Sequence, residues 1–213
     1  MPSADPPPAG FLAANPRLYT QLRPGPASLA HLAAVQRELA GESAAPDAGR
    51  TGPRWVPVDQ LHLTLIHFGK VLDVYAVLTT ATGVGWPDYG RLLEAYIRDT
   101  EALLPAAWFR LEPLALARFG RHGRTLVAEY RPDPALAAVH ARAYAALTEF
   151  LRGCGISDPA AFTAQDPNFM FAAGLRPHIT LCRNFEGTVP GTDVLPLLPV
   201  MVRPLPVLYP PKE

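Results

Sequence analysis

Residues 61–69 read LHLTLIHFG, an apolar run interrupted by two histidines and a threonine. In a β-strand successive side chains alternate between faces, so His62 and Thr64 share one face and Leu63 and Leu65 the other. Such a strand buries an aliphatic face and offers an imidazole and a hydroxyl on the opposite one. Alone, the stretch fits two readings: a core histidine satisfied by a local partner, or one that faces a cleft and does chemistry. On a regular strand His67, five positions past His62, belongs to the opposite face and to a structural role.

The stretch has an echo. Residues 177–183 read PHITLCR, where His178-Ile179-Thr180-Leu181 repeats His62-Leu63-Thr64-Leu65, 116 residues later. With six histidines in the chain, two carrying H-x-T-L is a coincidence on the order of one in a thousand. Imidazole titrates near neutrality, so one member of a pair can be protonated while the other is neutral. Hydroxyls beside them can donate to phosphate oxygens as charge develops there. The set suits in-line opening of a cyclic phosphodiester: one histidine activates water and the other protonates the departing ribose oxygen. This chemistry calls for no metal and no other cofactor.

The composition agrees with a folded chain that binds something small or local. Of 213 residues, 49% are hydrophobic and 18% charged, and nineteen basic side chains balance nineteen acidic ones. That balance argues against a general nucleic-acid coat or a membrane-surface binder, though it leaves room for a small basic pocket. Two cysteines, Cys154 and Cys182, make no disulfide framework and no metal-ligand spacing. The start, MPSADPPPAG, lacks signal-peptide features, and no apolar stretch reaches the roughly 18 residues of a membrane span. The expectation is a cytoplasmic monomer with no obligate protein partner. Dinucleotide, P-loop, zinc-protease and serine-hydrolase motifs are absent.

Around the motifs the element order is mixed. Residues 17–24 read as a strand and 28–40 as a helix; the strand region 55–68 leads into a Gly-rich linker through 82–90. Leu92, Leu93, Tyr96, Ile97, Thr100, Leu103 and Leu104 space as an amphipathic helix. Residues 108–119 and 124–130 read as a hairpin around GRHG, and Asp133-Pro134 opens a helix that ends at Gly153. Residues 1–16 are expected as a loose tail and 154–176 as a loop or lid. The Pro-rich end suits only an edge strand or an extended strap. Strands and helices without a repeated βα unit indicate an α+β fold with antiparallel or mixed sheets.

The motif pair resembles the 2H phosphoesterase superfamily. IHFG after the first motif and RP before the second are similar to the bacterial RNA 2′,3′-cyclic phosphodiesterases, also called 2′-5′ RNA ligases. The resemblance implies a single domain over 1–213 of two pseudo-symmetric lobes. Each would carry a sheet with helices outside, and the two would face each other across a central groove holding both HxT motifs. It implies His62 as the acid, His178 as the base, and Thr64 and Thr180 as phosphate ligands. The substrate is then an RNA end or a small cyclic nucleotide, opened to a 2′-phosphate. Two enzymatic alternatives share the motif chemistry: 2′-5′ phosphodiesterase or ligase activity, and opening of an ADP-ribose cyclic phosphate. A rival from another class is a non-catalytic module that holds an RNA or nucleotide phosphate without turnover.

Further candidate contacts are Arg121 and Arg124 at the hairpin turn and Arg176 at the strand entrance. Cys182 shares the His178 face by period two, and Tyr19 and Phe119 could stack on a base. Arg183 falls on the opposite face unless a bulge turns it inward. His31, His122 and His140 are expected at the surface.

Overall fold

The computed structural model describes residues 15–42, 52–120, 122–169, 171–191 and 194–205. All but the last two residues of the expected N-terminal tail lie outside that range. The strands are β1 (Arg17–Pro24), β2 (Arg54–Trp55), β3 (Leu63–Lys70), β4 (Phe109–Leu111), β5 (Pro113–Phe119), β6 (Thr125–Tyr130), β7 (His178–Arg183) and β8 (Val200–Leu205). The helices are α1 (Pro26–Glu42), α2 (Val71–Thr82), α3 (Trp86–Leu103), α4 (Pro134–Gly153) and α5 (Pro159–Gln165). The strands form an antiparallel sheet in the order β4-β8-β1-β3-β7-β6-β5, with β2 on β7. The fold is α+β, and no helix among the described residues is long and apolar enough to cross a membrane.

Two half-sheets meet at a narrow seam. β1 and β3 pair along six positions, whereas β3 and β7 share one registered pair, Leu63 opposite Ile179. The outermost strands of the order, β4 and β5, are separated in the chain by Glu112 alone. A flat sheet cannot satisfy that connection, so the two halves curve toward each other.

The core forms where one face of this sheet meets the helices. A row of cross-strand partners runs Pro204, Leu22, Leu63, Ile179, Ala128, Leu116, and from Leu22 onward every member is buried. Leu32, Val35 and Leu39 of α1 and Leu136, Leu147 and Leu151 of α4 join it in one cluster. Asp133 caps α4, accepting from the backbone N–H groups of Ala135 and Leu136 at 2.8 and 3.0 Å.

Several elements differ from the sequence expectation. The linker is largely helical, with α2 and the start of α3 in it. The single strand over 108–119 breaks at Glu112, and its halves go to opposite ends of the sheet. The 154–176 stretch carries α5, and Thr163, Phe169 and Ala172 from it are buried. His140 is buried as well, hydrogen-bonded to the backbone of Ala172. The Pro-rich β8 lies between β4 and β1 rather than at an edge. Its pairing with β4 ends at Val202, so Pro204 sits where only β1 is alongside and no donor is missed.

Gly69 marks a tight point after the first motif. It has φ +99°, and a Cβ there would lie 2.7 Å from Asn168 Oδ1. Gly69→Ala therefore combines left-handed strain with a clash, and should lower stability by about 1–3 kcal/mol in urea unfolding. An unchanged midpoint would contradict this account.

Burial lowers the pKa of four histidines, His31, His62, His67 and His140. The folded state thus holds their protons less tightly than the unfolded chain, and their neutral forms favour folding above the unfolded value near 6.5. That stability is lost as pH falls from there through the lowered folded values. The urea midpoint should be lower at pH 5.5 than at pH 7.5, and equal midpoints would refute the assignment.

Candidate functional site

The registers place the motif residues in two adjacent rows on the face opposite the core. From Leu63 opposite Ile179, one step either way sets His62 across from Thr180 and Thr64 across from His178. His62, the residue just before β3, and His178 are then diagonal neighbours, about 7–8 Å apart by sheet geometry and somewhat less at Cβ. All four side chains are half-buried.

Both imidazoles are held alike. His62 Nδ1–H donates to the Gln60 carbonyl and His178 Nδ1–H to the Arg176 carbonyl, each at 2.8 Å and two residues back along the chain. With Nδ1 committed as a donor, proton exchange falls to Nε2 on both rings. Burial, and beyond it the charges of Arg23, Arg183 and His178, hold the pKa of His62 below the usual histidine value, against the raising effect of the Gln60 hydrogen bond.

β-Bulges decide which other residues reach this face. Thr20 pairs with Ile66 and Gln21 with Thr64, which leaves Leu65 as an extra residue in β3. Val127 pairs with Thr180 and Leu126 with Cys182, which leaves Leu181 as an extra residue in β7. Each bulge falls on the leucine of an H-x-T-L motif and shifts the alternation by one. His67 therefore joins the His62 face, correcting the regular-strand expectation, and its Nδ1–H donates to the Asn168 carbonyl at 2.8 Å. Arg183 turns to the His178 face. Cys182 instead enters the core, fully buried, and burial pushes its thiol up to about 11. It is not a groove contact. The Leu181 carbonyl accepts from Val56 N–H and from Gln36 Nε2–H of α1, both at 2.9 Å, which pins the second bulge.

Other candidates divide. Phe119 lies against the His178 ring at 4.7 Å between centroids, and the Arg176 guanidinium sits 4.0 Å over the Phe119 ring. Glu129, directly across from His178, holds Arg176 through two hydrogen bonds of 2.5 and 3.1 Å. The Tyr19 ring lies 6.3 Å from His62 and 5.0 Å from His67. Arg124 is ion-paired with Glu186 at 3.2 Å, beyond the motif rows, and Arg121 lies outside the described residues.

Sequence reasoning misses Arg23 and Glu129. Alternation along β1 puts Arg23 on the Tyr19 face, but nothing local says that β3 lies alongside with His62 next to it. Three like-charge cross-strand pairs, Arg17 opposite Lys70, Arg23 opposite Arg203 and Arg54 opposite Arg183, make the sheet locally basic in a neutral chain. Like charges directly opposed are unfavourable in a sheet, and a bound anion relieves them.

Comparison with known proteins adds the fold. No family model and no curated protein matches the chain. Among solved structures, TT0787 of Thermus thermophilus superposes with a TM-score of 0.51 at 21% identity, over 89% of this chain and 84% of that one. The two share a fold. Escherichia coli LigT aligns more loosely: TM-score 0.41 and 19% identity in its apo form, and 0.43 and 20% in complex with 3′-AMP. Both LigT alignments cover 83% of this chain and 77% of that one. The likeness to TT0787 concerns the fold alone, an α+β arrangement in this chain.

Proposed function

We propose that this protein opens a 2′,3′-cyclic phosphate, on an RNA end or a small nucleotide, to a 2′-phosphate. The observation that carries the reading is the matched pair: two imidazoles on adjoining strands, each with Nδ1 on the carbonyl two residues back. His178 Nε2 takes the proton of an attacking water, and His62 Nε2–H protonates the departing ribose oxygen. Thr64 and Thr180 donate to the non-bridging oxygens, and Arg183 offsets their charge.

The lowered pKa of His62 bears on its role as acid. In the free protein burial, and beyond it the charges of Arg23, Arg183 and His178, disfavour the protonated form of His62. A bound phosphate counters those cations and raises the proton affinity of His62 when the substrate arrives. Arg183→Gln removes one of the lowering charges, so the His62 ring should titrate at higher pH in an NMR titration of the free protein. A downward movement would contradict the arrangement.

The deciding experiment is incubation with 2′,3′-cyclic AMP in EDTA, with the product identified. The expected product is 2′-AMP. Binding without turnover across a panel of cyclic phosphates would instead favour a nucleotide-binding module.

A further inference from the structure

The His62 row continues past the reacting centre. β1 and β3 place Arg23 beside His62, Arg23 lies opposite Arg203 on β8, and one further step along the β4 register sets Trp108 beside Arg203. The side chains agree with that register: the Arg203 guanidinium lies 5.2 Å over the Trp108 ring. Arg23 is held by donation from its Nη1–H to the Asp59 carbonyl. Trp108 is seated against Gly25, where a Cβ would come within 3.2 Å of the ring, yet 44% of it stays exposed. Among the described residues neither Arg23 nor Arg203 has a carboxylate partner.

We propose that Arg23, Arg203 and Trp108 form a subsite for the nucleotide next to the cyclic end. The two opposed guanidinium groups take its phosphate, and its base stacks on the Arg203–Trp108 platform. Two strand spacings put Arg203 about 10 Å from His62 across the sheet, a span covered by one nucleotide and an arginine side chain. Opposed arginines beside an exposed tryptophan combine what single-stranded nucleic acid needs, a backbone charge match and a stacking surface. A mononucleotide at the reacting centre meets Arg23 alone and does not extend to the Arg203–Trp108 platform. The inference rests on the cyclic phosphodiesterase reading but can fail separately from it.

The test compares 2′,3′-cyclic AMP with the dinucleotide ApA ending in a 2′,3′-cyclic phosphate. The wild type should prefer the dinucleotide in kcat/KM by about tenfold or more, and Arg203→Gln and Trp108→Leu should each remove most of that preference. The salt dependence of log kcat/KM should be steeper for the dinucleotide by about 0.7, and shallower again in Arg203→Gln. No preference in the wild type, or equal losses on both substrates, would overturn the subsite. If neither substrate turns over, the enzymatic reading fails and binding decides. Tighter binding of ApA 2′-phosphate than of 2′-AMP, lost in Arg203→Gln, would uphold the subsite, and equal binding would remove it.

Discussion

His62→Ala and His178→Ala should each lower kcat for cyclic phosphate opening by about 10²–10⁴-fold, the range for loss of one positioned acid or base. Each ring does half of a coupled proton movement. Removing the acid leaves the ribose oxygen to depart as an alkoxide, and removing the base leaves water to attack unaided. Once one partner is gone the other has little to cooperate with, so the double variant should fall far less than the product of the single losses. Both rings are half-buried on the face away from the core, so their loss should leave the fold and 2′-AMP binding largely intact. Wild-type rates in both alanine variants would eliminate the two-histidine mechanism.

Leu63→Ala should produce the largest loss of stability. Leu63 is fully buried, belongs to the core row and is one side of the single registered pair that joins the half-sheets. Truncating a buried leucine costs about 2–5 kcal/mol through lost transfer energy and the cavity left behind. For a chain of this size that corresponds to a fall in Tm of about 5–15 °C. Leu114→Ala, at a position 47% exposed, should stay within about 0.5 kcal/mol. The seam also sets the relation of His62 to His178, so well below its Tm the variant should lose more in kcat than in KM. A cost under about 1 kcal/mol for Leu63→Ala would show that the halves are held together elsewhere.

What could be read locally was largely legible in the sequence. Alternation in HLTL and HITL identified two strands with an imidazole and a hydroxyl on one face, because the period of two is built into extended backbone. The Asp133 cap and the helix it opens were legible for the same reason: the hydrogen bonds span three residues at most. The helices of 71–82 and 159–165 were not. Thr79, Thr80 and Thr82 have weak helix propensity in the first, the second is only seven residues long, and tertiary packing rather than pattern stabilises both.

By itself, the sequence determined that two H-x-T-L strands exist and which four side chains they offer together. Only the tertiary structure decided that β3 and β7 adjoin and that Arg23 lies next to His62. It also decided that Cys182 goes inside while His67 and Arg183 come out. The reason is that neighbours across a sheet are set by register, and faces after a bulge by what holds it. At Leu181 the holding groups are Val56 N–H and the Gln36 side chain, both far from it in sequence, so no reading of HITLCR alone could place the arginine that follows.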